Sequence, residues 1–572
     1  MFKRQTMVSR VGWGMGLAVV AATLSVTGYA ADAPAGGTPG MRRLTDDQYR
    51  NAIVDIFGED IEYAGRFDPV LRPTHGLQVQ GVSQISVSPA GFEQYDKVGR
   101  TIAEQVIDER HRPLLVGCAP RTATLPDDAC ATAFFRRTGE FLFRRPLKAA
   151  DVQLYVTAAR QATGLTNDFY GGLADGLGMM LASPRFLFEI DVAEPDPARS
   201  GARRLDAYSK ASRLSFFLWN TTPDRELLEA AARGTLHTPA GLKRQVDRLL
   251  ASPRLENGVR TFFADMLGFD QIADLSKDGE IYPQFTPNAK RDMPEQTLRT
   301  IVDLLGTNSG DYRDLFTTRR TFLTRALGAV YRVPVSEKSD WVPYEFPPDS
   351  PRAGLLTQPS FIATFSHPGR SSPTLRGKAL RELVLCQPVP DPPNNVDFSQ
   401  VENTTKGTVR VRLTAHRSNP ACASCHRFMD PIGLALENFD GAGTYRSQEN
   451  GVAIDATGDL DGSKFADPVS LGLAVRNHPQ LPACLSKRVF EFAVRRPLDA
   501  GEAAWVKTLS TRFVEHNYRI RELLRIVAMS DQLFRAPNPP VTAAKAPVPA
   551  AKVVAPVVKS TATAVPVREV TQ

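Results

Sequence analysis

The sequence predicts a mainly α-helical protein that is built from several domains. The clearest helical pattern begins at Thr238, a capping residue, followed by Pro239 at the first helical position and an apolar stripe that includes Leu242 and Leu249. Similar patterns recur along most of the chain, and 572 residues exceed the usual length of one domain. A third observation, an internal repeat, indicates that the helical scaffold contains a duplicated unit.

The first 30 residues have the pattern of a secretory signal peptide. Lys3, Arg4 and Arg10 precede an apolar run, and small residues surround a predicted cleavage site near Ala30. The alternative is an uncleaved membrane anchor, which is disfavoured because glycines and threonines dilute the apolar run and small residues follow it. No later segment approaches the roughly 18 consecutive apolar residues that a membrane span needs. We therefore expect a periplasmic or secreted protein with no membrane span after signal removal.

The overall charge excludes one class of partner. Loss of the three basic residues of the signal peptide takes the formal net charge from +7 to +4, spread among nearly equal numbers of acids and bases. This balance is too mild to indicate nucleic-acid binding.

Helical domains are predicted at 41–110 and 203–340, and the two copies of the repeat at 111–192 and 484–535. Within the repeat, "FLFRRPLKAAD" parallels "FAVRRPLDAGE", and "LASPRFLF" parallels "AMSDQLF" in the same order. "LLVGCAP" likewise parallels "LVLCQPV". The tail at 536–572 is rich in proline and alanine and is predicted to be disordered.

In the first copy one cysteine lies near the start and another on the helix that leads into Arg-Arg-Pro. In the second copy the matching first cysteine, Cys386 of "LVLCQPV", lies before the span 484–535, and the predicted haem segment separates the two. We therefore predict two disulfides, Cys118 to Cys130 and Cys386 to Cys484, because an exported protein meets an oxidising environment. The alternative is four buried thiols.

The stretch "NPACASCHRF" brings two cysteines and a histidine together. Pro420 suits the first turn of a helix, which would place Cys422, Cys425 and His426 on one face. Such a cluster serves a zinc site, a thiol redox pair or covalent haem attachment. A structural zinc site ordinarily has four ligands, and no second C-x-x-C or H-x-H cluster accompanies this one. A thioredoxin-like pair would need a βαβ setting, which the sequence does not show. We predict one covalent haem c, with both thiols attached and His426 as the proximal iron ligand.

The segment 350–483 is thus predicted to combine a proline-rich connection with a cytochrome-c-like haem module. The span 340–405 is expected to be extended because proline is frequent there. The C-x-x-C-H motif falls between Cys386 and Cys484, so the haem module is interpreted as an insertion into the second copy of the repeat.

The second axial ligand is harder to assign. Met429 lies one turn after His426 on the proximal side, and Met529 aligns with a helix position of the first copy that has no haem. His416 is too close to the first cysteine. His478 is the remaining candidate for the distal ligand, with an exposed loop histidine as the alternative.

Several stretches also resemble a known family. They are "RRLTDDQYRNAIVDIFG" at 42–58, "RLSFFLWNTTPDRELLEAA" at 213–231 and "HRSNPACASCHRFMDPIGLALENFDGAGTYR" at 416–446. The chain resembles exported bacterial proteins built of consecutive domains of unknown function, of the fifteen-ninety-two, fifteen-eighty-eight and fifteen-eighty-five type, with a C-terminal cytochrome-c-like module. The resemblance implies a haem c site at Cys422, Cys425 and His426, and it carries over no substrate.

Three functions follow from this interpretation. The first is one-electron transfer to a redox partner that the sequence does not identify. The second is a haem enzyme of the peroxidase or oxidase class, which needs an open iron position. The third is a polymer-binding or structural exported protein with an accessory haem.

Overall fold

A computed structural model describes residues 40–62, 65, 67–83, 87–306, 310–336, 340–390, 407–416 and 420–536. The predicted signal peptide and all but the first residue of the predicted tail lie outside the described residues. The described chain is mainly helical, as the sequence predicts. Its α-helices span Asp46–Phe57, Pro89–Ile107, Arg112–Leu115, Asp128–Leu142, Ala149–Thr166, Phe169–Leu181, Pro184–Leu187, Ala207–Leu218, Arg225–Ala232, Pro239–Ala251, Leu255–Met266, Pro287–Gly306, Arg325–Tyr331, Pro359–Thr364, Pro373–Ala379, Val409–His416, Pro420–Leu434, Pro468–Arg476, Gln480–Val494, Ala503–Glu515 and Ile520–Ala528.

The strands are short and pair two by two. Every pair is antiparallel, with partners Met41–Arg43 and Phe188–Ile190, Ala193–Pro195 and Arg203–Leu205, Arg320–Leu323 and Val342–Glu345, Gln448–Glu449 and Val452–Ala453, and Gly458–Leu460 and Ser463–Phe465. Pairs this short join helices and do not form a sheet with a core of its own.

Capping residues set the helix boundaries where the sequence predicts them. The Thr238 hydroxyl accepts a hydrogen bond from the Gly241 N–H at 3.1 Å, and the helix Pro239–Ala251 ends just before Ser252. The side chain satisfies one of the N–H groups that the first turn leaves without a partner. The predicted bounds of this helix are confirmed.

Two large hydrophobic cores organise the chain. The first lies under the N-terminal helices and the first copy of the repeat, from Leu44 to Leu187, with Phe216 added from a later helix. The second joins the central helices, the second copy of the repeat and the C-x-x-C-H segment, which contributes Ile432 and Leu436. This segment is therefore packed into the scaffold.

The two predicted copies of the repeat have the same order of helices. In each copy a helix leads into Arg-Arg-Pro and two further helices follow, and these helices are Asp128–Leu142, Ala149–Thr166 and Phe169–Leu181 in the first copy and Gln480–Val494, Ala503–Glu515 and Ile520–Ala528 in the second. The first arginine of each pair adopts the left-handed conformation, with φ of 58° at Arg144 and 54° at Arg495. Both are buried, and their guanidinium groups lie 5.7 Å and 4.9 Å from the ring centre of Phe216. The two copies thus meet the same aromatic ring.

A buried ion cluster joins three parts of the chain. Arg42 and Arg213 each lie 2.6 Å from a carboxylate oxygen of Asp191, and Arg495 lies 2.8 Å from Glu189. Burial alone would raise the pKa of Asp191, but Arg213 and Arg42 outweigh it and lower the pKa to about 2. The cluster ties the N-terminal strand to the second copy of the repeat.

The prediction that the proline-rich span 340–405 is extended holds for the strand Val342–Glu345 and is wrong for the helical segments between residues 359 and 384. Two helices, Pro359–Thr364 and Pro373–Ala379, lie there, and a π-helical turn follows at Leu380–Val384. Both helices begin with proline, whose fixed φ angle suits the first helical position. The rest of the span, 391–405, lies outside the described residues.

In the part of the chain that the structure describes, no helix has both the length and the apolar character that crossing a membrane requires.

Candidate functional site

The C-x-x-C-H motif lies on the helix Pro420–Leu434, here called the motif helix. The helix begins at the proline predicted to start it and carries Cys422, Cys425 and His426 in its first two turns. Their spacing puts the three positions on one helix face. The side chain of Cys422 lies outside the described residues, and the Cys425 thiol is partly exposed and unbridged.

Glycines hold the motif helix against the helix Pro373–Ala379, here called the packing helix. A Cβ atom added to Gly377 would lie 2.1 Å from the Met429 carbonyl oxygen, and one added to Gly433 would lie 1.8 Å from the Pro373 carbonyl oxygen. The two backbones therefore approach more closely than any side chain would allow. This contact fixes the orientation of the motif helix and of His426 upon it.

His426 is held by a carboxylate one turn further along the same helix. Its ring Nδ1 donates to the Asp430 Oδ2 at 2.9 Å. The Asp430 side chain is 0 % exposed, and its Oδ1 accepts a hydrogen bond from the Thr374 hydroxyl at 2.9 Å. In the neutral ring this arrangement puts the proton on Nδ1 and the lone pair on Nε2.

The residues around the motif fit a covalent haem. Iron binding requires a neutral imidazole with its lone pair directed at the metal, and metal-bound histidines ordinarily donate the other N–H to a carboxylate or carbonyl. Asp430 supplies that acceptor for His426, and the two cysteine positions share the helix face. Sequence analysis missed Asp430 and Thr374, although Asp430 could have been found from its spacing of four residues after His426.

Arg381 connects the motif helix to the predicted distal ligand. Its guanidinium lies 3.9 Å from the ring centre of Phe428, and its Nε donates to the Phe428 carbonyl at 3.1 Å. Another of its nitrogens donates to Asp461 at 2.7 Å. This hydrogen bond is the main cause that lowers the pKa of Asp461 to about 2.

His478 is buried beside Asp461, and is not the exposed loop histidine of the alternative interpretation. Its Nε2 lies 3.1 Å from the same Asp461 oxygen, and its Nδ1 accepts the N–H of Gln480 at 3.2 Å. Both ring nitrogens are therefore engaged, with the proton on Nε2. The distal role of His478 stays a prediction, and it would require the bond to Asp461 to break.

Both predicted disulfides are confirmed. Cys118 is bonded to Cys130 with a Cα–Cα distance of 5.6 Å, and Cys386 is bonded to Cys484 with a Cα–Cα distance of 5.2 Å. The second bridge closes the ends of the segment that contains the motif helix. Among the described residues, His, Cys, Asp and Glu side chains form no group of three that could hold a metal ion by themselves.

Five family models match consecutive stretches of the chain, and each is described as a protein of unknown function. They are DUF1587 at residues 42–108, DUF1595 at 130–191, DUF1592 at 205–333, DUF1588 at 352–449 and DUF1585 at 461–533. The three domain types expected from the sequence are thus present with two more, and the C-x-x-C-H motif falls within the DUF1588 match. No curated protein and no solved structure matches the chain.

Proposed function

We propose that this chain of five consecutive domains of unknown function is an exported protein that binds one haem c and passes single electrons. Cys422 and Cys425 would hold the haem covalently, and His426 would be its proximal ligand. When bound, such a haem supplies a one-electron couple. The observation that carries the proposal is the hydrogen bond from His426 to the buried Asp430, because it prepares the histidine tautomer that iron binding needs.

The chain's own residues would orient the proximal ligand rigidly. The glycine contacts fix the motif helix on the packing helix, and Asp430 fixes the ring of His426. The bridge from Cys386 to Cys484 pins both ends of the segment to the scaffold. Limited movement of the ligand favours electron transfer, because little reorganisation is then needed between the two oxidation states.

The proposed compartment agrees with the disulfides. Structural bridges persist in oxidising environments, and both pairs of cysteines are bonded. Together with the signal-peptide pattern of the first 30 residues, this supports export to the periplasm or beyond it.

A second candidate is a haem enzyme with an open iron position. The observation that favours it is the engagement of both ring nitrogens of His478, which leaves that residue committed to Asp461 and to the backbone of Gln480. A substrate could then reach an iron that has only one protein ligand.

The first experiment tests the haem itself. The protein is expressed with its signal peptide and with the haem-attachment machinery, and a denaturing gel is stained for haem. The wild-type band should stain, Cys425→Ser should stain weakly or not at all, and Ser424→Ala should stain like the wild type. A purified wild-type band without haem would refute the proposal.

The second experiment separates the two functions. Slow or absent carbon monoxide binding to the reduced protein, with a low-spin spectrum, indicates electron transfer. Rapid binding that His478→Ala leaves unchanged indicates an open iron and the enzyme. His478→Ala converting a low-spin iron to an open one would instead establish His478 as the distal ligand.

A further inference from the structure

The carboxylate of Asp430 is buried without a cationic partner from lysine or arginine in the described part of the chain. Its only ion-pair partner there is His426, and its other oxygen accepts from the Thr374 hydroxyl. Removing a carboxylate from water is costly unless an opposite charge or strong hydrogen bonds compensate for it. A contribution to the stability of the fold therefore does not by itself explain a buried aspartate at position 430.

Another buried acid of the same segment shows the contrast. Glu437 is 1 % exposed, and it pairs with Arg376 at 3.2 Å and with Arg446 at 2.9 Å. Two guanidinium groups thus neutralise Glu437. The negative charge of Asp430 instead meets one ring N–H and one hydroxyl.

A charged acceptor changes the imidazole that donates to it. The carboxylate attracts the Nδ1 proton, so electron density moves into the ring and makes Nε2 a stronger donor. In a dry environment this effect is larger than it would be in water. A stronger donor stabilises oxidised iron more than reduced iron, and hydrogen bonding of this kind is one of the means by which a protein sets a haem potential.

We infer that Asp430 is a positioning residue that poises the haem toward its oxidised state through His426, and that Thr374 moderates this effect. The inference rests on the proposed haem site. The Thr374 hydroxyl draws charge toward Oδ1, away from the oxygen that faces His426. Removal of the Asp430 carboxylate and removal of the Thr374 hydroxyl should therefore shift the midpoint potential of the haem in opposite directions.

The test measures midpoint potentials of full-length, haem-loaded proteins by optical redox titration. Asp430→Asn should raise the midpoint potential by at least about 59 mV, which for one electron corresponds to a tenfold change in the ratio of reduced to oxidised protein. Thr374→Val should lower the potential. A merely structural role would not give shifts of opposite sign.

Asp459→Asn is the matched control, because it removes one negative charge from an exposed site of the same segment. The asparagine oxygen can still accept the Gly462 N–H, which Asp459 accepts at 2.8 Å. Its shift should be much smaller than that of Asp430→Asn.

The outcomes are separable. A wild-type protein without haem would overturn both the proposed function and this inference. If the wild type binds haem but Thr374→Val raises the midpoint potential or leaves it unchanged, the inference alone is overturned. If Asp430→Asn does not fold, the sign of the Thr374→Val shift decides by itself.

Discussion

Loss of the bridge between Cys386 and Cys484 should destabilise the protein more than loss of the bridge between Cys118 and Cys130. The comparison uses two double variants, in which both cysteines of one pair become alanine. The pairs are well matched, since each has one buried and one partly exposed cysteine. The main difference is the sequence separation of the bonded residues, which is 98 for the first pair and 12 for the second.

The magnitude follows from the entropy of the unfolded chain. In the chain-entropy model a crosslink removes about 2.1 + 1.5R ln n cal/mol/K, where n is the number of residues in the loop. At 25 °C this relation gives about 4.7 kcal/mol for the longer loop and about 2.8 kcal/mol for the shorter one. The expected difference in the free energy of unfolding is thus about 2 kcal/mol.

Urea unfolding followed by circular dichroism measures the two free energies, and non-reducing peptide mapping first verifies the pairing in the wild type. Hydrogen exchange shows which part of the chain loses stability, because loss of the longer bridge should expose the amides of the motif helix before those of the first copy of the repeat. Equal losses in the two double variants would show that loop entropy does not govern the stability of these bridges.

Three further predictions test local features of the structure. Gly433→Ala should lower the free energy of unfolding by about 3 kcal/mol or more, because its Cβ would lie 1.8 Å from a backbone oxygen, whereas Gly164→Ala, with no atom within 4 Å, should be neutral or stabilising in the same urea assay. The pKa of Asp461 is lowered from 3.8 to about 2, so its contribution to stability is present above about pH 4 and is lost as the pH falls toward 2. Melting temperatures measured between pH 4 and 2 should therefore fall less in Asp461→Asn than in the wild type. Burial lowers the pKa of Lys277 from 10.5 to about 7, so between these pH values the unfolded chain holds a proton that the folded chain has lost. The stability of the wild type should therefore rise with pH in this range. The urea midpoints of Lys277→Met should not show this rise, and an equal rise in the variant would contradict the assignment.

The helices and the disulfides could be predicted because their signals are local or repeated. Thr238 and Pro239 mark a helix start within two neighbouring residues. The bridges required more, since the cysteines of the longer pair are 98 residues apart. Their pairing became visible because the first copy of the repeat places the same pair only 12 residues apart.

The setting of the motif could be predicted only in part. Asp430 shares a helix with His426, so helical spacing alone could have identified it. The surroundings of His478 depend on Asp461 and Arg381, which come from a short strand pair and from the π-helical turn. No spacing rule relates these three residues, because tertiary packing brings them together. The prediction for the proline-rich span was partly wrong for a different reason, because proline favours both extended chain and the first turn of a helix.

The two bridges also show how the motif segment is built into the scaffold. Their Cα–Cα distances are 5.2 Å and 5.6 Å, although one loop is far longer than the other. The entropy of closing a loop rises only slowly with its length, so a long insertion between such fixed ends is tolerated. The motif segment is nevertheless packed into the scaffold, because Ile432, Leu436 and Phe439 lie in the larger core. Because residues of the second copy of the repeat belong to the same core, a haem on the motif helix would keep a fixed position relative to that copy.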